Sequence, residues 1–465
     1  MIIYTPLIRT IMSTSTNTSD IRALRKKILD LAIPAMIANI SSTILQLVDT
    51  MMVGHLGSYY IAAMGVAGMA AWIEFPFAMG ITIGTTAIVA RHVGREEYDV
   101  AKKIADQGIF LGFFIGLAMF STLFVIRHQF LRLLGTTDIT HPFAHQYFVI
   151  YTSSFPALMS SMALYGALRG AGDTKTPMKL TLLSNSLNIF LDYALIFGKF
   201  GFPKMGVAGA AFASAFSIFV SYAIVMILYD HGKLVIGGRM KFVLDVTSQK
   251  RILRVGIPAL IERLVNNGFM MMYNSMVAHL GEIPYAAHYI GLRIESVSYM
   301  PGMGFSIAST TLVGQNLGRK DIDSAERAAH ESAKMGMLFM GIMGLIMILF
   351  PQYLAYPFLN PADPHASEVI YLASWYLRIV GISEAPLAAI FVYAGGLRGA
   401  GDTVSPIYIT AINKALFRVL PTYIFCYVMG IGVIGAWIAM SLETFTAAIS
   451  YYLKFKTKSW AYIEV

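Results

Sequence analysis

The sequence predicts an all-α integral membrane protein, with twelve transmembrane helices in two pseudo-symmetric six-helix lobes arranged as parallel repeats. Three observations carry that prediction. First, the 465 residues are 56% hydrophobic and only 13% charged, with mean hydropathy +0.63. Soluble domains run near ~25% charged, so this inventory cannot build a water-facing surface. Second, apolar stretches of about 20 residues recur along the whole chain, the length a helix needs to cross a bilayer. Third, the two halves of the chain repeat one another.

The spans fall near 30–53, 60–88, 104–126, 143–164, 177–198, 205–228, 252–278, 284–312, 331–353, 370–396, 404–429 and 431–453. Five segments follow: a tail over 1–28, a first lobe over 29–228, a linker over 229–251, a second lobe over 252–454 and a closing tail over 455–465. The first tail does not read as a secretory signal. Its apolar start is broken by Thr5, Pro6 and Arg9, and a Ser/Thr-rich stretch precedes the basic cluster Arg22, Arg25, Lys26 and Lys27. Basic residues gather on one side: that cluster, Arg91/Arg95/Lys102/Lys103, Arg169/Lys175/Lys179, Lys233 to Arg254, Arg319/Lys320/Arg327/Lys334, Arg398 and Lys454/Lys456/Lys458. Opposite them stand Arg127, Arg132, Lys199 and Lys204. The positive-inside rule then places both termini in the cytoplasm of a multi-pass protein of the cell membrane, and it accounts for the net charge of +9 without nucleic acid. The single cysteine, Cys426, excludes an intrachain disulfide and any cysteine-based metal cluster.

The repeat is explicit. LAIPAMI around Pro34 answers VGIPALI around Pro258, His55-Leu56-Gly57 answers His279-Leu280-Gly281, and Gly94-Arg95 answers Gly318-Arg319, all at an offset of 224. LRGAGDT at 168–174 recurs unchanged at 397–403, followed by Pro177 and Pro406. The offset there is 229, and the Pro/Asp-rich stretch 357–366 can hold the extra residues. With six spans per copy, both copies enter the membrane from the same side. Parallel repeats related by an axis along the membrane normal typify transporters, with a binding cleft near the midplane between the lobes.

Ionisable residues within spans are costly and are functional candidates by default. The first lobe carries Asp49, Glu74 and Asp192 with no basic residue at comparable depth. The second carries Glu262, Glu295, Glu384 and Glu443 against Arg263, Arg293, Lys414 and Arg418. Four against four can neutralise one another, and Lys414 and Arg418 share a helix face that suits pairing with Glu384 or Glu443. Three against none must hold protons or a cation, which places a coupling ion in the first lobe. Asn188 and Asp192 are one turn apart on one helix face, with Asn185 a turn before. Amide and carboxylate oxygens suit a hard cation such as Na⁺. Glu74, two residues before Pro76, either faces the cleft or serves the backbone freed by that proline.

VDTMMVGHLG (48–57), the doubled LRGAGDT, NIFLD (188–192) and IPALIE (257–262) together resemble the multidrug and toxic compound extrusion (MATE) family over nearly the full chain. The resemblance implies export of organic cations and other drugs driven by inward Na⁺ or H⁺. In DinF-like members a first-span Asp, the Asn-xxx-Asp pair and a sixth-span hydroxyl form the cation site, which carries over to Asp49, Asn188, Asp192 and Ser214. These four would ligate Na⁺ if the protein is sodium-coupled. The family position usually holds Thr where this chain has Ser214. Glu262 stands where many bacterial relatives carry an acid implicated in transport, with Arg263 beside it. Glu384 lies about three residues out of register with an Asp used by another branch.

The glycine-rich LRGAGDT loops lack the Gly-Lys-Ser/Thr of a P-loop and join two apolar helices. They read as structural, with Asp173 and Asp402 capping the next helix and Arg169 and Arg398 fixing the membrane boundary. Met270, Met271, Met272 and Met276 on the seventh span, and Met300 and Met303 on the eighth, suit either a cavity for varied apolar cations or plain packing. His55 and His279 sit at equivalent external turns as structural residues. A cation-coupled antiporter for small organic molecules, monomeric in the lipid bilayer, with no cofactor besides the H⁺ or Na⁺ it couples to, is the leading expectation. A lipid-linked precursor flippase of the wider superfamily is the alternative, although such proteins typically add two spans and a basic central cavity. An integral-membrane enzyme would need paired His or a Ser/Lys dyad on facing helices, and a channel would need a filter loop. The sequence offers neither.

Overall fold

The computed structural model describes residues 17–241, 243–359 and 363–464, and among these it is helical with no strand. Twelve helices follow one another: α1 (Asn17–Gly54), α2 (Ser58–Gly94, stepped at Met69), α3 (Tyr98–Leu133), α4 (His141–Thr152 and Phe155–Gly170), α5 (Lys175–Phe197), α6 (Val207–Asp230), α7 (Val246–Ala278), α8 (Glu282–Ser298 and Met300–Gly318), α9 (Ile322–Leu349), α10 (Ala366–Gly399), α11 (Ser405–Asn413, continuing through π turns at Lys414–Val419 and Ile424–Val428) and α12 (Val433–Lys456). Eight described segments are long and apolar enough to cross a bilayer. The other four helices have identifiable interruptions: α4 breaks at Ser153-Ser154, α8 at Tyr299, α7 carries Glu262, Arg263, Asn266, Asn267 and Asn274, and α11 carries Lys414 and Arg418.

The repeat reaches into the backbone. The second glycine of each LRGAGDT copy, Gly172 and Gly401, has φ of +91° and +88°. That left-handed turn is open to glycine at little steric cost. Asp173 Oδ1 then accepts the Thr176 N–H at 2.9 Å, and Asp402 Oδ1 accepts the Ser405 N–H at 3.0 Å, so both copies open the next helix in the same way.

Three expected boundaries move. Residues 17–28 are not tail but the first turns of α1, and residues 1–16 lie outside the described residues. Leu24, Ile28 and Leu31, spaced to share a helix face, pack with Phe305, Leu312 and Val313 of α8. The linker shrinks to 231–245, since α6 runs to Asp230 and α7 begins at Val246. Asp245 starts α7 by accepting the Thr247 N–H at 3.0 Å, and Lys103 of α3 holds the same carboxylate at 2.7 Å. The chain beyond α12 is likewise not free. Trp460 is buried and stacks on Phe455 with centroids 4.5 Å apart.

The lobes meet at the ends that carry the basic residues, by an exchange that respects the repeat. α1 packs on α8, and α2 packs on α7 and α8. A Cβ on Gly80 would lie 2.8 Å from the Gly256 carbonyl oxygen, and one on Gly304 would lie 2.8 Å from that of Ala32. These are equivalent contacts at the 224 offset. Small residues let the backbones approach where lipid supplies no hydrophobic drive. Farther toward the basic ends, Arg91 donates to the carbonyls of Ala400 (3.2 Å) and Ile463 (2.5 Å), while its repeat partner Gln315 donates to that of Gly170 (2.9 Å). Thr311 donates to the Arg169 carbonyl at 2.9 Å, and Arg25 reaches Glu331 at 2.8 Å. Each LRGAGDT loop is therefore a docking surface for the other lobe, and the molecule is closed on its basic side.

Candidate cation and proton site

α5 packs on both α1 and α6, and α4 packs on α6. Ser41 Oγ accepts the Asn185 Nδ2–H at 2.9 Å, which fixes the α1–α5 register two turns from Asp49. That register brings Asp49, Asn188, Asp192 and Ser214 together. The Asn188 amide satisfies both of its ends when Nδ2 faces the acids, 2.9 Å from Asp192 Oδ2 and 3.2 Å from Asp49 Oδ1. Its Oδ1 then accepts the Ser214 N–H at 2.9 Å and Oγ–H at 3.1 Å. One amide nitrogen thus joins the two carboxyl groups. Asp192 is fully buried, and its Oδ1 has no partner among the described residues.

No Lys, Arg or His lies within 4.0 Å of Asp49 or Asp192 among the described residues. Two carboxyl groups this close cannot both stay ionised in a low-dielectric site without a counter-charge. They share a proton or hold a cation. The orphan Asp192 oxygen, the Asp49 carboxylate and the Ser214 hydroxyl, with the Asn188 carbonyl once its amide turns, form an oxygen set suited to a small hard cation such as Na⁺. Val53, Ile196, Val207 and Ala210, with Tyr147 packed against them, close the site one turn beyond Asp49 and Asp192. The sequence reading missed Tyr147. Its signal was present in the spacing of Tyr147 and Tyr151, one turn apart on α4.

The other acids are placed differently. Glu74 is buried and accepts the Tyr151 hydroxyl at 3.2 Å. That bond goes to a phenol, not to backbone freed by Pro76. Glu262 is held by Arg398 through Nη2 at 2.7 and 2.8 Å and Nε at 3.3 Å. The expected neutraliser, Arg263, instead lies over the Phe75 ring of the first lobe at 5.6 Å. Arg398 therefore turns inward instead of marking the membrane boundary. Arg418 pairs with Glu443 at 2.7 Å, but neither Lys414 nor Arg293 has an acid within 4.0 Å among the described residues, and Glu384 takes the Ser298 hydroxyl while Glu295 takes that of Tyr376. The second-lobe charges thus do not cancel four against four. Tyr and Ser hydroxyls stand where guanidinium groups were expected, because Arg293 turns to Tyr289 on its own helix. What distinguishes the first lobe is two acids on one amide with an oxygen left over.

His55 and His279, at equivalent turns, each place Nδ1 2.7 Å from a carbonyl one turn back, Met51 and Ser275 respectively. Met271 and Met272 are exposed, while Met270 places its sulfur 3.1 Å from Arg418.

Twelve membrane helices in two repeated lobes, closed together at one end and carrying a buried acid site, define a membrane transporter. The chain belongs to the MatE family, the multidrug and toxic compound extrusion transporters, whose family model matches residues 34–194 and 258–424. It is 33% identical over 452 residues to a probable multidrug resistance protein NorM of Thermotoga maritima, covering 95% of this chain and 94% of that one. It is 25% identical over 433 residues to an FAD transporter of Shewanella oneidensis, covering 92% and 93% of the two chains. In fold it is similar to a multidrug resistance MATE family transporter of the MOP superfamily in an outward-facing conformation, with TM-score 0.87, 24% identity and 94% and 96% of the two chains covered.

Proposed function

We propose that this transporter is a secondary active antiporter. It exports small organic compounds, often cationic, in exchange for inward H⁺ or Na⁺ bound at Asp49, Asn188, Asp192 and Ser214. The basic ends face the cytoplasm, so the side on which the lobes meet is the cytoplasmic one. Ion binding at the pair removes the repulsion that an empty site would carry, and substrate leaves as the ion enters. The observation that carries this reading is the sharing of the Asn188 amide by Asp49 and Asp192, with an unpartnered, buried Asp192 oxygen and no cationic side chain within 4.0 Å among the described residues. The relative named as an FAD transporter makes a larger anionic cargo the competing substrate class.

The test is Asp49→Asn and Asp192→Asn in proteoliposomes, with Na⁺ and pH gradients imposed separately against a panel of cationic dyes and FAD. Gradient-driven export is expected to vanish in both variants while each still inserts. The gradient that drives the wild type identifies the ion. Wild-type rates in either variant overturn the assignment.

A further inference from the structure

The turn that follows α2 is built again after α8. Glu97 donates its backbone N–H to the His92 carbonyl at 2.9 Å, and Asp321, its repeat partner at the 224 offset, donates to that of Asn316 at 3.0 Å. The backbones match, but the side chains do not. Asp321 caps its own helix by accepting the Ser324 N–H at 2.9 Å. Glu97 turns back instead, and its Oε2 lies 2.5 Å from His92 Nδ1. The other ring nitrogen, Nε2, lies 3.1 Å from Nη2 of Arg251 on α7, across the lobe interface. In the second copy Asn316 and Lys27 stand at the positions of His92 and Arg251. Of the two equivalent places, only one carries an imidazole.

The hydrogen bonds fix the state of that ring. A guanidinium only donates and a carboxylate only accepts. Arg251 therefore needs a lone pair at Nε2 and Glu97 needs a proton at Nδ1, so the ring between them is the neutral Nδ1–H tautomer. An imidazolium carries N–H at both positions. It would keep Glu97 and confront Arg251 with a donor and a like charge. His92 is buried, but the Glu97 side chain is 44% exposed, so water reaches the pair. Arg95 of the same turn is the further cation that faces the ring. Glu96 and Asp99 beside it, and Lys250 and Arg254 beside Arg251, are exposed to water. Lys102 and Lys103 of α3 are held by Asp106 and Asp245 at 2.9 and 2.7 Å, and Arg91 turns to the carbonyls of Ala400 and Ile463. α4 and α8 approach this end of α2 with Gly170 and Gln315, which carry no charge.

We propose that His92 is a pH-sensitive latch between the lobes, its neutral ring holding Arg251 and its protonated ring releasing α7 from α2 on the basic side. Imidazole changes charge between about pH 5 and pH 8, so a fall in pH on that side loosens the closed state. The ring gains one proton at Nε2 from water, the Glu97 bond at Nδ1 is kept, and the Arg251 side chain turns out to solvent. Loss of that one bond should shift the closed-to-open ratio about three- to tenfold.

The test uses the full-length protein in lipid nanodiscs, with spin labels at Lys175 and Val404, exposed positions equivalent in the two lobes, and Cys426 replaced by Ser. Label distances are read at about pH 8 and about pH 5.5. The background protein is expected to gain a longer population at the lower pH. His92→Asn, which installs the residue of the second copy, and Arg251→Gln, which removes the opposing charge, are each expected to give one distribution at both pH values. A background distribution that ignores pH overturns the proposal, and so does an undiminished pH shift in either variant. If one variant fails to fold, the other decides. Asp49→Asn is expected to keep the pH dependence, because the latch lies apart from the acid pair. Loss of the dependence in that variant assigns the shift to the acids and overturns the latch.

Discussion

Adding one methyl group at Gly94 or at Gly318 should open the basic side of the molecule. A Cβ at Gly94 would lie 2.0 Å from the Gln315 carbonyl oxygen, and one at Gly318 would lie 2.1 Å from that of Arg91. Carbon–oxygen contacts settle at about 3.3–3.6 Å, so α2 and α8 must part by at least about 1.2 Å at either position. The obstructing atoms are backbone of a rigid helix, and no rotamer change relieves them. Overpacking of this kind costs about 1–3 kcal/mol. The whole cost falls on the closed state, because the contact exists only when the lobes meet there. The closed-to-open ratio should then drop by about 5- to 150-fold for Gly94→Ala or Gly318→Ala. The change is measurable with spin labels on the exposed positions Tyr98 and Arg319, one on each lobe, in a background where Cys426, the single native cysteine, is replaced by Ser. The label distance should gain a longer population, and export should slow as the closed state becomes harder to reach. Gly65→Ala is the control, because Gly65 lies on the same helix with nothing within 4 Å of its would-be Cβ. If Gly94→Ala and Gly318→Ala give the distance distribution and rate of Gly65→Ala, the loops and helix ends are not the gate.

Three further outcomes follow from the same geometry. Glu262→Gln should destabilise the protein by about 3–5 kcal/mol, since it strands the Arg398 charge, whereas Glu262→Met with Arg398→Met should recover most of the loss in a detergent thermal melt. Trp460→Ala should cost about 3–5 kcal/mol for the vacated aromatic site and, by freeing the segment whose Ile463 carbonyl takes Arg91, should lengthen the same label distance as Gly94→Ala. Lys103 and the Ser248 hydroxyl and N–H hold the Asp245 carboxyl well below the ordinary aspartate range. A depressed carboxyl stabilises above its unfolded value near ~4 and stops doing so as pH falls through the folded one. The linker over 231–245 should therefore resist protease equally at pH 7 and pH 5, and Asp245→Asn should be cut faster at both.

The architecture was legible because it rests on one-dimensional signals. Apolar length marks spans, and the 224 offset marks two copies. The same offset gave the equivalence of Gly94 and Gly318 without showing that each faces the carbonyl three residues before the other. Asn188 and Asp192 could be put on one face from their spacing alone, whereas their meeting with Asp49 and Ser214 depends on how α1, α5 and α6 pack, which no local pattern encodes. Charge counting by lobe went astray for a related reason. It treated Arg293 as available to any acid in its bundle, but a guanidinium neutralises only what it can reach, and Arg293 reaches Tyr289. Arg398 was assigned to the boundary by its position in a loop motif, yet its long side chain returns into the lobe to Glu262.

The doubled LRGAGDT motif resolves into a single physical demand. At the end where the two lobes meet, each lobe presents backbone acceptors to the other. The motif supplies them as the carbonyls of Gly170 and Ala400, taken by Gln315 and Arg91 across the interface. The glycines permit the turn, and the aspartate starts the next helix so that the carbonyls are held in place. Only the donor differs between copies, a neutral amide in one and a guanidinium in the other. The guanidinium has donors to spare, and one of them reaches the Ile463 carbonyl, which brings the segment after α12 into the contact between the lobes. The two copies have thus kept the acceptor and diverged in the donor. The Asp49 site shows the same divergence, since the positions equivalent to Asn185 and Asp192 became Lys414 and Pro421. One lobe has the paired carboxyl groups, while the other filled the same depth with its own Lys and Arg.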